Sequence, residues 1–120
     1  MLAVLFNEAD AQKYSRAIIG SRCQMSAANF VELCIVIEAQ TRNGSRQVDE
    51  FFHLAEIAIA PVTIEQAQAA RRAFTSFGKG RHPAGLNFGD CFAYALASIT
   101  GEPLLFKGAD FSKTDITTVL

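Results

Sequence analysis

Three carboxylates of this chain stand where solubilising charge does not explain them. Between Arg81 and Glu102 the only acidic or basic residue apart from His82 is Asp90, inside the run Leu86-Asn87-Phe88-Gly89-Asp90-Cys91-Phe92-Ala93-Tyr94-Ala95-Leu96-Ala97. Glu32 sits in a similar apolar setting, Ala27-Ala28-Asn29-Phe30-Val31-Glu32-Leu33-Cys34-Ile35-Val36-Ile37. Asp110 follows the apolar stretch Leu104-Leu105-Phe106 across a glycine at Gly108. An ionised carboxylate among apolar neighbours is costly without a partner. A shared hard cation is the simplest partner for three of them, provided the fold brings them together. Taken alone, Asp90 is also explained as a first-turn acid favoured by a helix dipole, and Glu32 as a buried acid satisfied by a cap or an arginine.

A second asymmetry is basic. From Gln66 to Gly89 there is no acidic residue, while Arg71, Arg72, Lys79 and Arg81 are present. Lys79 and Arg81, set among Gly78, Gly80 and Gly85, suit a phosphate-contacting rim beside the acids. Arg71 and Arg72 suit a solvated helix face. No Ser-His-Asp or Cys-His arrangement can be picked out, so nothing points to a nucleophilic side chain. His53 reads as a partly buried packing residue and His82 as part of the basic loop. The ten phenylalanines fall mostly at core spacing, and none is assigned to base stacking.

The elements that would position these groups alternate. Helices are expected over residues 8–19, from Ser26 as cap to about Arg42, from about Ser45 with Val48, Phe51, Phe52, Ala55 and Ile59 on one face, from the capping pattern Thr63-Ile64-Glu65-Gln66 to about Phe77, and from Asn87 to Gly101. Short strands are expected at Cys23–Met25, within Ile57–Val62, at Leu104–Phe106 and within Thr117–Leu120. Strands separated by helices imply a parallel sheet with helices on both faces. Ligands of such sheets bind outside the carboxyl ends of the strands, where Glu32 and Asp110 are expected. Asp90 reaches that edge only if the loop over 78–86 crosses over.

Bulk properties narrow the classes. With 120 residues, half of them apolar, and a net charge of −1, the chain suits one folded domain with no global attraction to nucleic acid. Its three cysteines have neither zinc-ligand nor redox-motif spacing, which suits a reducing compartment. The apolar start Met1–Phe6 is too short for a signal segment, and no run approaches membrane-spanning length. A cytoplasmic protein without membrane contact is expected.

Three stretches together resemble the VapC-type toxins of the PIN-domain ribonuclease family: Ser26-Ala27-Ala28-Asn29-Phe30-Val31-Glu32, the Asn87-Phe88-Gly89-Asp90-Cys91 region, and Pro103-Leu104-Leu105-Phe106-Lys107-Gly108-Ala109-Asp110-Phe111 on to Asp115. The resemblance covers nearly the whole chain. It implies an α/β, three-layer α/β/α fold and a Mg²⁺- or Mn²⁺-dependent endoribonuclease. It also implies a VapB-type antitoxin partner and a homodimer. Carried over by position, it makes Glu32, Asp90 and Asp110 catalytic metal ligands, with Asp115 a weaker fourth candidate, and leaves Lys79 and Arg81 as RNA-binding residues. It further places the family's first acid in an apolar-Asp-Thr-Ser-Ala strand ahead of the stretch matching Leu2–Asn7. No such strand precedes Leu2 here. The expectation is therefore a single PIN-like domain over 1–120, N-terminally shortened, with its first central strand missing and its start assigned downstream of the true one. Two other readings compete: a shortened PIN domain that binds antitoxin or RNA without cutting, and a receiver-like signalling domain. The second needs an acidic pair near the N-terminus and an aspartate at a strand end, which the strands ending at Met25, Val62 and Phe106 do not supply.

Overall fold

The computed structural model describes residues 2–4, 22–105, 113–115 and 118–119. The helix expected over 8–19, and residues Phe106 and Asp110, lie outside the described residues. In chain order the elements are β1 (Leu2–Val4), β2 (Cys23–Ser26), α1 (Ala27–Gln40), α2 (Gly44–Leu54), β3 (Ile57–Ala60), α3 (Ile64–Phe77), α4 (Phe88–Thr100), β4 (Leu104–Leu105) and β5 (Thr118–Val119).

The strands form one five-stranded sheet in the order β3-β2-β1-β4-β5. All four pairings are parallel. The expected vacancy at the sheet centre is absent, because the apolar segment Leu2–Val4 occupies it. Ala3 pairs with Gln24 on one side and with Leu104 on the other. This strand carries no carboxylate.

Register assigns the two faces. Side chains alternate along a strand, and Cys23 pairs with Ile57, so Cys23, Met25 and Ile57 share one face. They pack with Leu33, Ile37, Val48 and Phe52 of α1 and α2. Leu104 and Gln24, whose backbones both pair with Ala3, lie on the other face, as does Ala60. There Leu104 and Ala60 pack with α3 and α4. The layers are helix, sheet, helix, as expected.

Local sequence explains the helix ends. Asn87 and Asp90 form a reciprocal capping box at the start of α4: Asn87 Oδ1 accepts from the Asp90 N–H at 2.9 Å, and Asp90 Oδ2 accepts from the Asn87 N–H at 3.0 Å. Gly101, with φ of 71°, stops the helix in the left-handed region. Thr63 Oγ1 accepts from the Gln66 N–H at 3.1 Å to start α3. Ser26 differs from expectation. It holds the cap position of α1, but its hydroxyl makes no capping bond and is buried without a partner among the described residues. Ile59 also departs, since α2 stops at Leu54 and Ile59 belongs to β3.

The segment from Gly78 to Leu86 is a closed, bonded loop. Gly78 and Leu86 bridge. The Lys79 N–H donates to the Leu86 carbonyl and the Leu86 N–H to the Phe77 carbonyl, both at 2.9 Å. Ala84 and Leu86 are fully buried beneath it. The end of α3 and the start of α4 are thereby brought side by side.

Candidate functional site

Helix α4 is apolar around most of its circumference because it is buried on most sides: Cys91, Ala93, Ala95, Leu96 and Ala97 are all within the core. Its first turn, which carries the acid, meets the first turns of α1. The contact is specific. Asn29, 2% exposed, donates from Nδ2 to the Gly89 carbonyl at 2.8 Å. Asn29 Oδ1 is buried without a partner among the described residues. One turn on, the Glu32 carboxylate rests against Gly89. A Cβ at position 89 would fall 2.5 Å from Glu32 Oε1 and 3.0 Å from Oε2, so only a glycine leaves the carboxylate where it is. Glu32 and the residue adjoining Asp90 are therefore in contact, although 57 positions separate them in the chain.

Glu32 is exposed, not buried as its apolar neighbours suggested. Val31, Ile35 and Val36 are exposed with it, which leaves α1 with an apolar outer stripe. The Glu32 carboxylate has no hydrogen bond or ion pair among the described residues. Asp90 is half-buried and spends one oxygen on the Asn87 N–H. Asp115 is exposed and accepts a hydrogen bond from the Tyr94 hydroxyl. Tyr94 follows Asp90 by four residues on the same helix face, so Asp115 lies against α4 about one turn from Asp90. Burial pushes the Tyr94 phenol well up, and the bond to Asp115 adds to it. Asp110 lies outside the described residues. No group of three or more His, Cys, Asp or Glu side chains is close enough to hold an ion among the described residues.

The other candidates separate cleanly. Lys79 and Arg81 are exposed on the closed loop that leads into Asn87 and α4. The Arg81 guanidinium lies over the Phe74 ring, 5.6 Å from its centroid. His82 packs edge-on against Phe77 at 5.1 Å, and its Nδ1 accepts from the Ala84 N–H at 3.0 Å, so it serves the loop's own structure. His53 is exposed, against the expectation of a packing residue. None of the three cysteines forms a disulfide among the described residues. Burial raises each, with Asp90 adding to the effect at Cys91, so none is a poised nucleophile.

Two contributors escaped the sequence reading, Asn29 and Gly89. A signal for Asn29 was present. Asn29, Leu33 and Ile37 recur at a spacing of four and form the buried stripe of α1, and a polar residue in such a stripe needs a specific partner. Gly89 gave no such signal, because its importance depends on a residue from another helix.

The donor set suits a hard cation. Two carboxylates supply oxygen ligands, as Mg²⁺ requires, and that ion is commonly held by one or two carboxylates plus waters and substrate phosphate. The protonated, buried Cys91 supplies no thiolate for a soft one.

Comparison with known proteins identifies the family. Residues 1–116 match the PIN domain. The chain is 47% identical over 121 residues to Ribonuclease VapC30 of Mycobacterium tuberculosis, an alignment covering 99% of this chain and 92% of that protein. It is 46% identical to Ribonuclease VapC of Mycolicibacterium smegmatis, covering 99% and 94%. With Ribonuclease VapC28 of Mycobacterium tuberculosis it shares 45% identity, covering 100% and 92%. No helix among the described residues is long and apolar enough to cross a membrane. The chain belongs to the PIN-domain family, in its VapC branch.

Proposed function

We propose that the protein is a metal-dependent endoribonuclease, the toxin of a type II toxin–antitoxin pair. The observation that carries this is the packing of the exposed Glu32 carboxylate against Gly89, the neighbour of Asp90. Glu32 thereby comes within one residue of Asp90, an acid from a motif far away in sequence, where the first turns of two helices touch, and Lys79 and Arg81 lie on the loop leading into the second of them. The resemblance of the whole chain to VapC ribonucleases supports the same reading.

Glu32 and Asp90 would hold Mg²⁺ or Mn²⁺, with Asp110 completing the set and Asp115 as a weaker fourth. Bound there, the cation supplies Lewis-acid stabilisation of charge on the phosphate and acidifies a water. The protein's own groups do the rest. Asn29 and the capping box fix the first turn of α4, Gly89 leaves room for the Glu32 carboxylate, and Lys79 and Arg81 draw the RNA backbone toward it. A VapB-type antitoxin and a second copy of the chain are the partners that the family implies.

The test is cleavage of single-stranded RNA by the purified chain. Cleavage is expected with Mg²⁺ or Mn²⁺ and none in excess chelator. Glu32→Gln should lose about 100-fold or more in kcat/KM, the scale set by several kcal/mol of lost charge stabilisation. Cleavage that survives complete chelation would contradict the metal role. A folded chain that binds RNA but never cuts would favour the binding-only reading.

A further inference from the structure

The first turn of α4 has a second working face. Phe88, Cys91 and Phe92 recur at i, i+3 and i+4, a stripe about 100° around the helix from Gly89. Phe88 is 76% exposed. Its ring stands edge-on to Phe92, with centroids 5.0 Å apart. Opposite it, α3 presents Phe74 and Arg71 across a groove of ≈ 390 Å³. Arg81 covers the Phe74 ring from the closed loop. Among the described residues, none lining the groove is acidic.

Single exposed apolar side chains are ordinary on protein surfaces. Here, however, exposed Phe88 stands beside a groove walled by Phe74 and Phe92, with Arg71 in its lining and the Arg81 guanidinium over the Phe74 ring, one residue from Gly89 and two from Asp90. An apolar floor with a cationic rim matches a nucleotide, which is a flat aromatic base joined to an anion. An apolar protein segment would use the floor but leave both guanidiniums unanswered. The volume is within the range of sites that take small molecules, so one base fits.

We propose that Phe88 is a base-stacking residue, holding one unstacked base of the RNA against the groove while the neighbouring phosphate lies at Glu32 and Asp90. Arg71 and Arg81 flank the same nucleotide. This rests on the ribonuclease reading and extends it to how the RNA is held. Stacking on one ring favours some bases over others without reading their edges, so the role brings a modest sequence preference at one position.

The chain contains no tryptophan. Phe88→Trp, made together with Glu32→Gln to stop cleavage, therefore gives a single fluorescent reporter. It is titrated with a single-stranded oligoribonucleotide, and separately with an abasic strand of the same length and charge. The RNA should quench the emission and the abasic strand should not. Phe88→Ala should weaken RNA binding about 5- to 100-fold, the range of one base–aromatic stack, with its salt dependence unchanged. Phe88→Tyr should restore most of that binding. Arg81→Gln should instead flatten the salt dependence. Equal affinity of Phe88→Ala and its parent would overturn the proposal, as would equal quenching by the abasic strand. Quenching by an apolar helical peptide but not by RNA would overturn it in favour of a protein occupant. Cleavage assays of the unmodified chain keep the two readings apart. Cleavage with KM and site preference unchanged in Phe88→Ala overturns the stacking role alone. Base-dependent quenching by a chain that never cuts supports the base site and overturns the nuclease.

Discussion

On one face of the sheet, Met25, Leu33, Ile37, Val48, Phe52 and Ile57 fill the core with large side chains. On the other, Ala69, Ala70 and Ala73 of α3 share a core with Ala93, Ala95 and Ala97 of α4, alongside Leu86, Leu96 and Leu104. The bulky face draws its stability from buried apolar volume. The alanine face buries less per residue but sets how closely two helices approach, because a methyl group leaves no room to slide. That second face carries the first turn of α4, and with it Gly89 and Asp90. Bulk thus serves stability on one side, and close approach serves the site on the other.

The two faces should therefore fail in opposite ways. Leu33 is 5% exposed, and Leu33→Ala should cost about 2–5 kcal/mol in urea unfolding, while the molecules that remain folded keep normal RNA cleavage. Ala93 is 1% exposed, and Ala93→Leu should cost about 1–3 kcal/mol by overpacking, with cleavage falling further than the loss of folded protein explains. Similar specific activity in the two variants would erase the distinction.

The helix starts offer a smaller version of the comparison. Asn87 makes its capping bond and Ser26 does not. Asn87→Ala should cost about 1 kcal/mol. Ser26→Ala should cost close to nothing, because it removes a buried hydroxyl that has no partner among the described residues. Paired thermal melts decide it.

Tyr94 joins the alanine face to Asp115. Its phenol is raised by burial first and by the Asp115 bond second. A raised folded-state value means that the folded form holds its proton when the unfolded chain has released it. The stabilisation is thus fully present below the unfolded tyrosine value of about 10 and is lost as pH rises beyond it. Melts from pH 8 to 11 should show a steeper alkaline loss in the parent than in Tyr94→Phe.

Gly89→Ala should change stability least and activity most for its size. Alanine favours the helix by roughly 1 kcal/mol over glycine, and the clash is with the movable end of Glu32. Melting should hold steady or rise while RNA cleavage drops. Full activity in this variant would show that the Glu32 carboxylate can leave Gly89 without consequence.

Much of this was legible in the sequence for local reasons. Asn87 ahead of an apolar run announces a helix start, and Thr63 with Gln66 another. Gly101 before Pro103 announces a stop, and each is realised. What required the fold was long-range. Leu2-Ala3-Val4 gives no sign of its place at the sheet centre, since pairing with Gln24 and Leu104 decides that. The backbone bonds that close the Gly78–Leu86 loop leave no mark in its sequence. Ile59 fits the helical spacing of α2, but pairing with Met25 draws it into β3. Glu32 and Asp90 were recognisable separately as acids in apolar runs. The approach of their helices depends on Asn29 and Gly89, sixty residues apart in the chain.

The central claim is that Glu32 and Asp90 act as one site. A double-mutant cycle on Mg²⁺-dependent RNA cleavage tests it, with Glu32→Gln, Asp90→Asn and the pair compared by kcat/KM. Residues that work as a unit are strongly non-additive. The account predicts a loss of about 100-fold or more from each single change and little further loss when the two are combined. Losses that multiply in the double variant, or either single variant cutting RNA as well as the parent, would contradict it.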